Sequence, residues 1–333
     1  MVNAVSLTPL IIGNFFRVER PILQAPIGSF ATVALAAAVS NAGGLGSLAL
    51  TWTDLSTAVS RVKTLKAATP SPFFVNFALA FEPRALEPVL NAGAPAVTFS
   101  WGLPGKLVNL VHSFGAAVGV QVGTLAGATS ALDDGCDFLI CQGIEAGGHV
   151  QSSIPLRELL HVVVAEARGI PVIAAGGLAD GADIAEIMRL GANGAMLGTR
   201  FVASTESYAH PSYKSLLVQS SGRDTVLTSC FNGEWPLAPQ RVLRNRTLNE
   251  WERTGCAPPG KRPGEGEVTV RQADGKPILR YDDTPPNAGM VGDVLSCCLY
   301  SGAGVEKIRA IKPAQALVDE LCRDAAAILE GSD

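Results

Sequence analysis

His149 closes the run Gln142-Gly143-Ile144-Glu145-Ala146-Gly147-Gly148-His149, in which a glycine-rich turn carries an imidazole beyond an apolar segment. Histidine titrates near neutrality, so a side chain presented in this way can take or give a proton, or hydrogen-bond an anionic oxygen. The other three histidines have plainer settings. His161 lies within the helical pattern Leu159-Leu160-His161-Val162-Val163, and His112 and His210 read as helix-end residues. No second His, Cys or carboxylate stands at ligand spacing from His149, so no metal site is expected. Glycines gather again at Gly176-Gly177, after Ala175, and at Gly198, before Thr199. Glycine permits positive φ and a close approach of the backbone, which exposes N–H groups to an anion. An isolated Gly-Gly pair can simply make a tight turn. Three such turns in succession point instead to a ligand that carries phosphate.

These residues must be positioned by the elements around them, and from residue 21 to about 220 the chain keeps one rhythm. A short apolar run leads to a Gly- or Pro-marked turn and then to ten or more residues of helical periodicity. The spacing predicts strands at Ile22 to Ala25, Leu45 to Leu48, Phe73 to Phe77, Ala96 to Phe99, Ala117 to Gln121, Phe138 to Cys141, Pro171 to Ala174 and Ala195 to Leu197. Helices are expected at Thr32 to Ala42, Asp54 to Lys66, Asp180 to Leu190 and Pro211 to Gln219, among others. Eight βα units predict an α/β fold of the TIM (β/α)8 barrel type, and residues past the C-terminal strand ends line the site of such a barrel. The glycine turns then follow strands six, seven and eight, and the last two of these form the usual barrel phosphate site. Asn76 and Gln121 bring two amides to the same end, with Gln142 in an equivalent position. Amides suit the pyrimidine edge of an isoalloxazine ring, where donors and acceptors alternate, although either can also close a turn. The glycines alone leave FMN, a sugar phosphate and a nucleotide open.

After residue 220 the rhythm stops, and the organisation expected is a barrel over 1–220, a loop-rich appendage over 221–290, and a turn and helix over 291–333. Gly255 to Asn287 is rich in Gly, Pro and charge and reads as loop that lies across the barrel mouth or decorates its rim. Leu299 to Gly304 is a small-residue turn able to reach back to the site, and a last helix is expected at about Pro313 to Leu329. Hydrophobic residues make up 47% and charged residues 17%, which suits buried parallel strands. A net charge of -4 supplies no basic face for nucleic acid or an anionic membrane, and a small molecule is the expected partner of a monomer or homodimer. Seven cysteines without CxxC spacing read as reduced structural thiols. No secretory or membrane-spanning pattern is present, so a soluble, cytoplasmic protein is expected.

Four motifs, Pro21-Ile22-Leu23-Gln24-Ala25-Pro26-Ile27-Gly28, AAAVSNAGGLG over 36–46, Phe74-Val75-Asn76 and QGIEAGGH over 142–149, make the chain resemble the nitronate monooxygenases. The resemblance covers most of residues 20 to 215. It implies an FMN-containing barrel that oxidises alkyl nitronates or nitroalkanes with O2 to carbonyl compounds and nitrite. It also implies that Ala25, Pro26, Ile27 and Gly28 lie against the flavin and that Asn76, Gln121 and Gln142 contact it. Gly147 and Gly148 would hold it from the sixth loop, Ala175, Gly176, Gly177, Gly198 and Thr199 would bind the phosphate, and His149 would be the catalytic base or hydrogen-bond the nitronate. The chain departs from the family pattern at Ile27, at Val150-Gln151 and at Tyr300-Ser301-Gly302-Ala303. Related enoyl-ACP and quinone reductases share EAGGH, Ala174 to Gly181 and Gly198-Thr199-Arg200-Phe201, which keeps an NAD(P)H-dependent flavin reductase open. A phosphate-binding barrel lyase or isomerase without flavin is the further alternative.

Overall fold

The computed structural model of the chain describes residues 7–233, 235 and 238–331. Eight parallel strands, β1 (Ile22–Gln24), β2 (Gly46–Ala49), β3 (Phe73–Ala78), β4 (Ala96–Ser100), β5 (Ala117–Val122), β6 (Phe138–Gln142), β7 (Val172–Ala175) and β8 (Gly194–Leu197), form one sheet in the order 1-8-7-6-5-4-3-2. A parallel bridge between Leu23 and Leu45 joins its two edges, so the sheet curls into the expected barrel. The helices α1 (Val33–Asn41), α2 (Leu55–Ala68), α3 (Leu86–Asn91), α4 (Leu107–Ser113), α5 (Leu125–Asp133), α6 (Leu156–Glu166) and α7 (Gly181–Arg189) cover it, followed by the single turn α8 (Thr199–Val202) and α9 (Pro211–Gln219). Several start on a side-chain cap. Thr32, Asp54, Thr124 and Asp180 each accept a backbone N–H from the first turn, which satisfies an otherwise orphaned donor.

Alternate strand residues face opposite ways, and the apolar set divides accordingly. Leu23, Phe74, Ala96, Ala117, Phe138, Ile140, Ile173 and Met196 fill the barrel interior. Val75, Val97, Val118, Val120, Leu139 and Ala174 pack outward under the helices. The interior is tight: a Cβ on Gly119 would come within 2.3 Å of Phe138 Cζ. An antiparallel hairpin, Leu10–Ile12 with Phe16–Val18, contributes Leu10, Ile12 and Val18 to this inner cluster. It packs against the inner cluster, away from the strand ends whose loops line the site.

The chain beyond α9 is more ordered than its composition suggests. Thr225–Thr228 pairs with Gln240–Leu243, which pairs in turn with Gly148–His149 from the β6 loop. Next comes α10 (Arg246–Arg253). The stretch 255–287, expected to be loop, contains the strands Val268–Arg271 and Pro277–Leu279, which form a small sheet with Val291–Gly292. The strands are short, and the charged residues between them mask the alternation of Val268, Val270 and Ile278. Ile278 and Val270 are nonetheless buried with Met290, Val294 and Cys297. The last helix, α11 (Ala314–Glu330), docks on α7 so closely that a Cβ on Gly181 would lie 2.5 Å from Asp324 Cβ. All seven cysteines are free thiols, and Cys256 alone is exposed. Cys297 and Cys298 serve two different apolar clusters. No described helix is long and apolar enough to cross a membrane.

Candidate active site at the barrel mouth

The turns after β7 and β8 build a cradle of bare backbone. Gly176 has φ +125° and Gly177 φ +68°, values that suit glycine and strain other residues. The N–H groups of Gly176, Gly177, Leu178 and Gly198 have no hydrogen-bond acceptor among the described residues, although Leu178 is buried and the glycines are partly so. Unpaired N–H groups under cover are costly, and a cluster of them is satisfied by an anion. The turn at Ser301 to Gly304 forms the third wall. Gly302 donates its N–H to Thr199 Oγ1 at 2.9 Å, which leaves the hydroxyl proton for another acceptor. Ala303 donates to the Glu145 carbonyl at 3.0 Å. A Cβ on Gly147 would stand 2.4 Å from Gly302 N, and one on Gly304 only 1.9 Å from Gly177 O. The three turns are therefore locked together, and the late small-residue turn does reach back to the site.

This cradle runs into a wider cleft of about 620 Å³ that shares Ala25, Gln121, Gln142, Gly147, Gly198 and Thr199 with it. Such a volume lies within the roughly 300–1,000 Å³ of ligand pockets. Pro26, Ile27, Gly28, Asn76, Gly148 and His149 line the cleft, while Ala175, Gly176 and Gly177 line the cradle. The residues nominated from the sequence thus meet in one continuous cavity. Their amides are not equally available. Asn76 Nδ2 donates to Thr98 at 3.0 and 3.2 Å, and Oδ1 accepts nothing from a described residue. Gln121 Nε2 donates to Gln151 Oε1. Gln142 is committed at both ends: Nε2 donates to the His149 carbonyl at 3.3 Å, and Oε1 accepts from Gln151 N at 2.8 Å. Gln142 therefore sets the shape of the loop that carries His149.

His149 is the histidine of the cleft. Its Nδ1 lies 3.3 Å from the Ala238 carbonyl, which can only accept, so the neutral ring carries its proton on Nδ1 and a lone pair on Nε2. Burial pushes its pKa down to about 4. The ring is consequently neutral at physiological pH, with Nε2 free to accept a proton. Tyr300 Oη lies 3.2 Å from Nε2 and donates to the Asp283 carbonyl at 2.7 Å, and Asp283 Oδ2 is 3.8 Å from Nε2. Once Nε2 is protonated, the Tyr300 oxygen can accept from it without giving up its own donation. The hydrogen bond to the Ala238 carbonyl opposes burial by favouring the imidazolium. The other histidines stay outside: His112 pairs with Asp137 at 2.9 Å, His210 caps α9, and His161 is exposed on α6.

Sequence reasoning overlooked an aromatic wall. Trp52, Phe81 and Trp101 follow β2, β3 and β4, and Trp235 reaches the same cleft from the extension. Their positions at strand ends were the available signal for the first three. Trp235 lies in the stretch without periodicity, and nothing local marks it. The extension also brings Gln272, Lys276 and Asp282 to Pro285 over the mouth. The charged residues lining the cleft are two cations, Arg61 and Lys276, and two carboxylates, Asp282 and Asp283.

A (β/α)8 barrel with an anion cradle and a neutral histidine at its C-terminal mouth belongs to the barrel enzymes in which the βα loops carry the chemistry. The model of the nitronate monooxygenase family matches residues 11–88 and 80–324. A nitronate monooxygenase from Pseudomonas aeruginosa is 32% identical over 289 residues, covering 72% of this chain and 81% of that protein. The (3aS,4S,5R,7aS)-5-hydroxy-7a-methyl-1-oxo-octahydro-1H-indene-4-carboxyl-CoA dehydrogenase of Mycobacterium tuberculosis is 32% identical over 240 residues, covering 71% of this chain and 66% of that protein, just under two thirds of its length. Among solved structures, FabK from Thermotoga maritima superposes with a TM-score of 0.80 at 30% identity, covering 94% of this chain and 95% of that chain. The nitroalkane oxidase from Streptomyces ansochromogenes does so with a TM-score of 0.77 at 31% identity, covering 94% and 98%. The chain belongs to the nitronate monooxygenase family and is an oxidoreductase.

Proposed function

We propose that this protein is an FMN-dependent oxidase of alkyl nitronates or nitroalkanes, forming carbonyl compounds and nitrite with O2. The observation that carries the reading is the neutral His149, with its bare Nε2 in a cleft continuous with the cradle of unpaired N–H groups. The residues present fit FMN. The amides of Gly176, Gly177, Leu178 and Gly198 and the Thr199 hydroxyl are suited to its phosphate, and Asn76 Oδ1 to an N–H of its ring. Bound FMN supplies the electron acceptor and the reaction with O2. The chain supplies the proton chemistry: Nε2 takes the α-proton of a neutral nitroalkane, and Tyr300 Oη and the Asp283 carboxylate stabilise the imidazolium. When the anionic nitronate binds directly, no α-proton remains for Nε2 to take.

A second reading, an NAD(P)H-dependent reductase or dehydrogenase of a larger substrate, is favoured by the likeness to FabK and to the carboxyl-CoA dehydrogenase. One experiment separates the two. The holoprotein is mixed anaerobically with nitroethane, its nitronate, NADH or NADPH, and flavin absorbance near roughly 450 nm is followed. Bleaching by the nitro compounds is expected, and His149→Asn should abolish it for neutral nitroethane. Rapid bleaching by NADH or NADPH alone would favour the reductase.

A further inference from the structure

We propose that the cleft takes a substrate bearing an apolar ring, held in a box formed by Trp52, Phe81, Trp101 and Trp235 beside His149. The proposal rests on His149 as the group that faces substrate, and it adds the class of substrate delivered to it. Aromatic residues are scarce in this chain, at 6%, yet three of its four tryptophans line this one cleft. Their rings meet edge to face: Trp101 and Trp235 centroids are 4.7 Å apart at 61°, Phe81 and Trp235 5.2 Å apart at 81°, and Trp52 and Phe81 5.2 Å apart at 69°. Edge-to-face contact occupies one ring face in each pair, and the ring surface that lines the cleft is where a flat guest can stack. Trp52 is 59% exposed. Its indole, with Phe81, Trp101 and Trp235, makes a contiguous aromatic surface at the cleft, the kind of apolar patch that marks a binding site.

Backbone strain supplies a second observation, independent of the ring contacts. Trp101 sits at φ +58°, a strained conformation that is uncommon for a bulky residue. A glycine there would relieve the strain, but it would remove the indole that closes the box. The box also adjoins the chemistry, since the His149 ring is 4.6 Å from Trp235 and 6.2 Å from Trp101. A two-carbon nitroalkane at Nε2 has no group to cover the ring surfaces that line the cleft. A phenyl or fused-ring substituent does.

The test has two arms, and both use Trp101→Gly and Trp235→Ala. Glycine accepts the positive φ at residue 101, so Trp101→Gly removes the ring with the local backbone path retained. In the first arm, calorimetry on the holoprotein compares benzyl alcohol with ethanol, neither of which needs to react. Benzyl alcohol should bind at least about tenfold more tightly, and each variant should weaken it by about three- to tenfold. In the second arm, kcat/KM is compared for 2-phenyl-1-nitroethane and nitroethane. The ratio should exceed about ten in the original protein and fall toward unity in both variants. Failure to oxidise either nitro compound would count against the nitronate reading alone, because the first arm still reports on the box. Unchanged benzyl alcohol affinity in both folded variants would overturn the proposal and leave the rings as packing between the extension and the barrel.

Discussion

Burial decides what His149 is at neutral pH, and the consequence is measurable. The folded ring has a pKa of about 4, against an ordinary 6.5. Between those values the unfolded chain binds a proton that the native chain refuses, so stability is fully present above pH 6.5 and is lost as pH falls toward 4. Between pH 7 and pH 5 this one group should cost about 2 kcal/mol. Denaturant midpoints at the two pH values should reveal the loss, and His149→Asn should remove that component. Tyr300 supplies a second prediction at this scale. Its hydroxyl bridges Nε2 and the Asp283 carbonyl, so Tyr300→Phe removes the oxygen that receives the proton on the imidazolium. A hydrogen bond of this sort is worth roughly 1 kcal/mol. The expected result is a fall of about five- to tenfold in kcat/KM for neutral nitroethane, with a smaller effect on the preformed nitronate. Equal losses on both would assign Tyr300 a structural role instead.

Among the elements, the interlocked turns after β6, β7 and before α11 wall the anion cradle that the β7 and β8 turns build, and their close approach leaves no room for a methyl group. At Gly177 both φ +68° and a Cβ contact of 2.9 Å with Glu145 Cβ forbid alanine. Glu145 in turn holds the start of α6 through Leu156 N at 2.9 Å. Gly177→Ala is therefore expected to lower FMN affinity at least about tenfold, read by fluorescence titration of the apoprotein. Gly255→Ala is the control, because it shares a positive φ of +72° but has open space around it. It should cost about 1 kcal/mol of stability and leave FMN affinity unchanged. Inside the barrel, Gly119→Ala would drive a methyl into the Phe138 ring, and a destabilisation of about 1–3 kcal/mol is expected.

For the molecule as a whole, the site is shared between the barrel and the segment that follows it. The strand Gln240–Leu243 extends the pairing of Gly148–His149, Ala238 sets the tautomer of His149, and Gln272, Lys276 to Ile278 and Asp282 to Pro285 line the cleft. A ligand in the cradle therefore contacts barrel turns and the Ser301 to Gly304 turn at once, and binding should stabilise the chain globally. At one hundred times its dissociation constant FMN should add about 2.7 kcal/mol, which corresponds to a rise in Tm on the order of 5 °C. Melting curves of the apoprotein with and without FMN would measure it. No rise would mean that FMN does not bind the folded chain.

The barrel was legible in the linear chain because each βα unit is local: apolar strand, glycine turn and amphipathic helix follow one another within about thirty residues. Counting eight of them turns the order of strand ends into a ring, and that is why Asn76, His149, Gly177 and Thr199 were nominated together although they are far apart in sequence. The hairpin within 255–287 was not legible, since its strands are too short for alternation to stand out from the charges around them. Nor was the aromatic box, because no local pattern links Trp235 to Trp101. The charge state of His149 depends on its burial and on the Ala238 carbonyl, which long-range packing brings to it. Local periodicity determined the barrel and which end of it is used. Only the tertiary structure decided the tautomer, the shape of the cleft and the company His149 keeps, because burial and hydrogen-bond partners are properties of distant segments brought into contact.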